Sequence, residues 1–253
     1  MKKILLPVIC IATFMFTACE PFGPVTPYNA FSVSEGKLVI FSPGNLQYYP
    51  LDNCWQFAAK QKDYIGKGNN YMSSEYNGWI DLYDWRTDTY GSFDDWGNNP
   101  IDKDAEGTWR TLTYEEWEYL FSGRTNADLL CGVAQVDGVN GIILLPDCWT
   151  CPAGVTFKPG FSSIDKATFY KEHQTLTASQ WDKLEAAGAV FLPAAGYSDR
   201  VGVHKVQHLG NYWSATKYNN TDAHHFSFRP NQANMESGKK SDSRSVRLVK
   251  DVL

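Results

Sequence analysis

The chain of 253 residues carries 23 Lys and Arg against 28 Asp and Glu, a formal net charge of −5 at pH 7 without a basic patch, which excludes an electrostatically driven nucleic-acid binder. Aromatic residues make up 15% of it, nine of them Trp, and the length suffices for one large domain with a substantial core. Beyond the N-terminal segment no stretch holds about 18 consecutive apolar residues, so no membrane-spanning helix is expected.

Met1-Lys2-Lys3 is a short basic opening, and an apolar stretch follows from Ile4 to Phe16, broken only by Pro7 and Thr13. That length is too short to cross a bilayer and fits the apolar part of an export signal. It ends in Phe16-Thr17-Ala18-Cys19, and small residues just before a cysteine resemble a lipobox. The expectation is removal of residues 1–18, acylation of Cys19 and a lipid anchor at the outer membrane or cell surface. Loss of Lys2 and Lys3 would move the net charge from −5 to −7. Pro21, Pro24 and Pro27 make residues 19–30 a lipidated, semi-rigid spacer, leaving 31–253 as the domain.

Lys37 to Phe41 reads as a strand, stopped by Ser42-Pro43-Gly44-Asn45, and Trp55 to Ala58 alternates as a second. Residues 63–108 are rich in Gly, Asn, Asp and aromatics and have almost no period. They form a long loop region whose aromatics must pack somewhere. Thr113-Tyr-Glu-Glu116 is a capping box, followed by Tyr114, Trp117, Leu120 and Phe121 on one helical face. Glu115, Glu116 and Glu118 are expected to be solvated charges that favour the helix N-terminus, not catalytic carboxylates. Thr177-Ala-Ser-Gln180 repeats the box before Trp181, Leu184 and Ala187, and Gly188 sits where a left-handed C-terminal residue belongs.

Gly141 to Pro146 and Ala189 to Gly196 are continuous apolar runs that suit buried strands. Asn211 to Thr216, His224 to Arg229 and Ser245 to Val249 read as strands with alternating faces. Phe226 and Phe228 point one way and must be core, while His225, Ser227 and Arg229 point the other. The fold class is therefore α+β, with mixed short strands, two helices and long loops.

Cys54, Cys131, Cys148 and Cys151 remain after the signal and Cys19, and in an oxidising compartment they could form up to two disulfides. Cys148-Trp-Thr-Cys151 is a lone CxxC followed by Pro152 and Gly154. It lacks the second pair that a structural zinc site wants and the helix that a redox pair wants.

The segment from Trp109 through Thr113 and Trp117 to Leu120 resembles the helix opening of the formylglycine-generating-enzyme-like branch of the C-type lectin fold, Arg-Leu-Pro-Thr-x-x-Glu-Trp-Glu-Tyr. Here Thr111 precedes Leu112, and no proline follows. Ser245-Val-Arg-Leu-Val249 is similar to the closing strand of that branch, and Gly210 to Thr216 lies where it has a Gly-rich, Trp-containing strand. The stretches from Phe41 to Tyr49 and Leu192 to Gly196 look like a group of gut Bacteroidales surface lipoproteins with this fold. The resemblance covers roughly residues 31–250 and implies a C-type-lectin-like domain.

Part of that group resembles the variable proteins of diversity-generating retroelements, in which adenine-directed mutagenesis rewrites a displayed C-terminal stretch. The polar residues 217–242, framed by Trp213, Phe226, Phe228, Val246 and Leu248, fit such a display within a variable region 211–249. The resemblance implies a non-catalytic, adhesin- or receptor-like protein that binds a protein or glycan on another cell, phage or host surface. The expected ligand-binding residues are Asn211, Tyr212, Trp213, Lys217, Tyr218, Asn219, Asn220, Asp222, His225, Ser227, Arg229, Asn231, Gln232, Asn234 and Glu236. The bland alternative for the polar strand face is simple solvation.

Oxidases of the branch use a cysteine pair in the C-terminal part, and this chain has no cysteine after Cys151. Related iron enzymes use a histidine set. His224 and His225 are adjacent on a strand and face opposite ways, while His204 and His208 lie in a stretch that does not read as a helix, and His173 stands apart. The calcium motifs Glu-Pro-Asn and Gln-Pro-Asp are absent, Arg229-Pro230-Asn231 having the proline without the acid. No cofactor or metal is therefore expected. A surface-appendage subunit and a divergent oxidase are the alternatives.

Overall fold

A computed structural model describes residues 27–252. The expected signal segment, Cys19 and residues 20–26 of the spacer lie outside the described residues. The architecture is α+β, with several small sheets and three helices among the described residues.

In chain order the strands begin with β1 (Phe31–Ser34), β2 (Lys37–Phe41), β3 (Leu46–Tyr49) and β4 (Cys54–Phe57). After the long loop region comes helix α1 (Tyr114–Glu118), continued by one π-helical turn, Tyr119–Gly123. Strands β5 (Cys131–Val136) and β6 (Val139–Leu144), helix α2 (Thr168–His173), β7 (Thr175–Leu176), helix α3 (Ala178–Ala186) and β8 (Val190–Pro193) follow. The last third holds β9 (Tyr197–Ser198), β10 (Val203–His204), β11 (Gly210–Lys217), β12 (Asp222–Arg229), β13 (Gln232–Lys239) and β14 (Val249–Asp251).

Both capping boxes are present. The Thr113 hydroxyl accepts from Glu116 N and the Glu116 carboxylate accepts from Thr113 N, at 3.2 and 3.0 Å. Thr177 and Gln180 repeat the arrangement, and Gly188 takes a left-handed φ of 93° beyond α3. Thr113→Ala is expected to cost about 1 kcal/mol of stability, read as a lower urea midpoint at unchanged slope. Glu116 departs from the solvated reading. It is buried and accepts from Arg110 and Lys37, while Arg110 also reaches Asp251 of β14. Burial pushes its carboxyl up, but the bonds from Arg110, Lys37 and Thr113 outweigh that and hold it below its ordinary value.

Strands β7-β5-β6-β8, in that spatial order, form one sheet, with Asp137 and Gly138 at positive φ in the two-residue turn between β5 and β6. Its two faces bury different clusters, which is why its strands read as continuous apolar runs. Val133, Ile142 and Leu192 face a central core with β1, β2 and α1, whereas Val136, Ile143 and Phe191 pack on Trp181 and Leu184 of α3. β14 closes the β1-β2-β14 sheet by pairing Val249 with Phe41.

The long loop supplies a second core. Tyr83, Trp85, Trp96 and Trp109 gather around Trp55 of β4, Trp213 of β11 and Val246 and Leu248. A buried clasp holds the loop's first half. Asn69 Nδ2 donates to Asp81 Oδ1 at 2.7 Å, Ile65 N donates to Asp81 Oδ2 at 2.8 Å, and Asn69 Oδ1 accepts from Asp81 N and Leu82 N.

Two expectations need correction, and one open question, the state of the cysteines, is answered in part. A third helix, α2, lacks a side-chain N-cap and an apolar stripe long enough to read, yet it buries Tyr170 in the central core. The segment from Ser245 is extended, but regular pairing begins only at Val249. Residues 245–248 run between two neighbours, Ser245 bonding to β11 and Val246 and Leu248 accepting from Leu46 N and Ser42 N. Cys54, Cys131 and Cys151 are free thiols, so the CxxC does not close on itself and no disulfide links these three.

Candidate binding cleft

β11, β12 and β13 form an antiparallel sheet with β13 at its edge, and β12 pairs with β13 over its full length from Asp222↔Lys239 to Arg229↔Gln232. At one end of this sheet three turns converge around an open cleft of about 660 Å³, lined by residues 199–201, 220–222 and 239–242. That volume lies within the range of small-molecule sites.

Two of the turns are shaped by their own short polar side chains, and the third, residues 239–242, is closed by a backbone bond from Asp242 N to Lys239 O. Asp199 Oδ1 accepts from Val201 N at 2.8 Å and Gly202 N at 3.2 Å, and His204 Nε2 lies 2.8 Å away. Those bonds, the His204 contact foremost, hold the Asp199 carboxyl below its ordinary value. Asn219 Oδ1 accepts from Thr221 N and Asp222 N, both at 2.8 Å, which closes the β11–β12 turn. Asp222 is likewise held low, by the Thr221 hydroxyl and Asn219. The third turn is tied to the other two, since Lys240 N donates to Thr221 O and Ser243 exchanges backbone bonds with Ser198. Lys240 lies 4.6 Å from the Trp85 ring centroid and donates to Asn220 O. Burial, and then the nearby Lys217, lower its pKa. Val201, which lines the cleft, and Tyr218, at the start of the β11–β12 turn, are exposed.

The expected binding residues divide into two groups. Lys217, Tyr218, Asn219, Asn220 and Asp222 surround the cleft end of the sheet. Gln232, Asn234 and Glu236 lie along the edge strand, a regular strand of eight residues within the polar stretch, and Asn231 lies in the turn that precedes it. Half-buried Arg229 joins them, donating to Glu236 Oε1 at 3.2 Å with Asp165 at 3.9 Å.

Asn211, Tyr212, Trp213, His225 and Ser227 are buried, at 3% exposure or less, and their assignment as ligand contacts is corrected. Tyr212 faces the central core with Phe226 and Phe228. Trp213 and Ala223 face the second, aromatic core, so the polar face of β12 is covered as well. Arg244 completes that cover. Its guanidinium lies 4.3 Å from the Trp213 ring centroid and reaches so close to Gly238 that a Cβ there would sit 2.1 Å from a guanidinium nitrogen. His225, buried beside Arg244, has its pKa driven well below the ordinary imidazole range by desolvation first and that cation second. Asn211 Oδ1, His225 Nδ1 and Ser227 Oγ have no hydrogen-bond partner among the described residues, so this row is where ordered water is expected.

Two parts of the cleft were missed by sequence reasoning. Residues 199–201 carried a turn signal in Asp199 and Gly202, but nothing local joins them to residues 20 and 40 positions further on. Lys239 and Lys240 lay in the displayed stretch without being singled out. His224 and His225 do face opposite ways, with His224 against Tyr114 and Tyr218, and His225 against Trp213. His204 pairs with Asp199 and His208 with Asp165. Among the described residues, no group of three or more His, Cys, Asp or Glu could hold a metal ion.

Residues 151–249 match a family described as a domain of unknown function, DUF8237, and the matched span contains the whole cleft. No curated protein and no solved structure matches the chain.

Proposed function

We propose that the chain is a non-catalytic, ligand-binding surface lipoprotein, anchored through Cys19, whose C-type-lectin-like domain presents the cleft to other cells, phage or host surfaces. The observation that carries this reading is the convergence of three turns on one open cleft, lined by exposed Val201, with exposed Tyr218 at the start of one of those turns. Rigid turns carrying aromatic and amide side chains suit adaptable recognition, because little is lost in ordering them. The test is a variant combining Tyr218→Ala, Asn220→Ala, Lys239→Ala and Ser241→Ala, compared with the unaltered protein for retention on cell, phage and host-surface preparations. Loss of at least tenfold is expected; unchanged retention on every preparation would sink the reading.

Retroelement diversification of the same region follows as part of this proposal. A near-copy of codons 211–249 beside a reverse-transcriptase gene is expected to differ mainly at adenines. The differences should fall on exposed positions in 217–222 and 231–239 and spare buried Trp213, His225 and Ser227, because changing those would disrupt packing.

One observation favours the appendage alternative. Among the described residues, β13 is an eight-residue edge strand whose outer side pairs with no further strand and whose carbonyls are engaged only at its end, where Lys239 O accepts from Asp242 N and Arg244, which makes the remainder a template for strand addition. A protein that stays monomeric and co-purifies with nothing removes this alternative.

A further inference from the structure

The charges in the cleft are unevenly occupied. Asp199 is engaged by His204 and two backbone N–H groups, Asp242 has Arg244 at 3.5 Å, and Asp222 accepts from the Thr221 hydroxyl. By contrast, no ion pair among the described residues uses Arg200, Lys217, Lys239 or Lys240. Lys240 is held over Trp85 near Lys217, and Asp222 on the neighbouring strand lies close to Lys239 and Lys240 without a direct ion pair. The lining thus balances three cations outside any ion pair among the described residues, Arg200, Lys239 and Lys240, against three carboxylates that already accept hydrogen bonds or face a cation, which leaves the cations the freer to take a negative group of a ligand.

The carboxylates also restrict what that negative charge can be part of. A carboxylate has about four acceptor positions, and the bonds named above do not fill all of them on any of the three. A ligand made only of anions would meet three acidic side chains with nothing to donate to them. A ligand carrying hydroxyl groups as well as negative charge meets both requirements, and Asn220, Thr221 and Ser241 add further hydrogen-bonding groups between the charges. Tyr218, two residues before Asn220, is exposed with its ring edge-on to His224, and offers an aromatic surface at this end of the sheet.

We propose that the cleft binds an acidic saccharide, its carboxylate or sulfate groups held by Arg200, Lys239 and Lys240 and its hydroxyls donated to Asp199, Asp222 and Asp242. This rests on the reading of the cleft as the ligand site. The shared chemistry is an anionic, hydroxyl-rich oligosaccharide, with a uronic-acid or a sulfated source.

The test is titration calorimetry of the protein with four probes: trigalacturonate, a heparin-derived sulfated tetrasaccharide, neutral maltotriose and poly-glutamate peptide. At least one acidic saccharide is expected to bind ten times or more tighter than maltotriose and poly-glutamate. Which of the two does so identifies the source of the charge. Binding should weaken as salt is raised and fall tenfold or more in Arg200→Ala/Lys239→Ala, two exposed positions whose replacement leaves the fold intact. Lys239→Arg should retain most of it. Binding of neither acidic saccharide, equal binding of maltotriose, equal or tighter binding of poly-glutamate, or an unaffected double variant would overturn the proposal. If the four-residue tip variant still loses surface retention while neither acidic saccharide binds, the cleft remains the ligand site and only the saccharide assignment falls.

Discussion

Trp117→Ala is expected to be the most damaging single substitution tested, lowering stability by about 3–5 kcal/mol. Trp117 is fully buried where α1 meets the sheets. Its ring stacks on Phe226 of β12 at 5.0 Å between centroids and 11° between planes, and it also contacts Phe121 and Phe41. One side chain thus ties the capped helix to β2 and to the sheet that carries the cleft. Truncation would leave a cavity among aromatic rings that cannot close it without moving backbone. Its indole N–H has no hydrogen-bond partner among the described residues, so Trp117→Phe keeps the stack, removes an unsatisfied donor and should cost far less. Urea unfolding of the three proteins is the measurement; a loss below about 1 kcal/mol for Trp117→Ala would refute the central role given to this ring.

The second large effect concerns pH. Asp81 is fully buried in the clasp with Asn69 and Ile65 N. Desolvation raises its pKa from 3.8 to about 6, against the lowering effect of those hydrogen bonds. A carboxyl with a raised folded-state pKa contributes stability that is fully present below the unfolded value, near 4, and is lost as pH rises through about 6. The shift corresponds to about 3 kcal/mol between those limits. Unfolding should therefore be followed from pH 4 to 8 for the unaltered protein and for Asp81→Asn. The stability difference between them is expected to move in favour of the unaltered protein as pH falls. Other titrating groups cancel in the comparison, so a difference that stays flat would show that Asp81 is not the titrating group.

How far the structure could be read in advance varies with the range of the interactions involved. The two capping boxes were legible because a cap closes over three residues, and the hydroxyl and acceptor that make it are adjacent in sequence. The buried strands β6 and β8 were legible from unbroken apolar runs, and Phe226 and Phe228 from strict alternation. The α2 helix was not, because six residues without a cap carry too little period. The solvated reading of Glu116 failed for a related reason. Position N3 of a capping box looks the same whether or not Arg110 and Lys37 arrive from elsewhere to bury it.

The candidate site shows the same limit. Turn-forming Asn219 and Asp199 bend the chain by bonds to their own neighbours, so the polar cleft end of the sheet was visible in the stretch from Lys217 to Asp222. Alternation along β12 correctly separated two faces, but it carries no information about what covers each. Local sequence by itself determined the caps, the strands, the turns and the α+β class, since these depend on spacings of two to four residues. Tertiary structure alone decided that His225, Ser227, Asn211 and Trp213 lie inside and that residues 199–201 join Lys239 and Lys240. Those outcomes depend on Arg244 folding over Trp213 and on the aromatic loop of residues 80–109 packing beneath β11, contacts whose partners lie tens to more than a hundred residues apart.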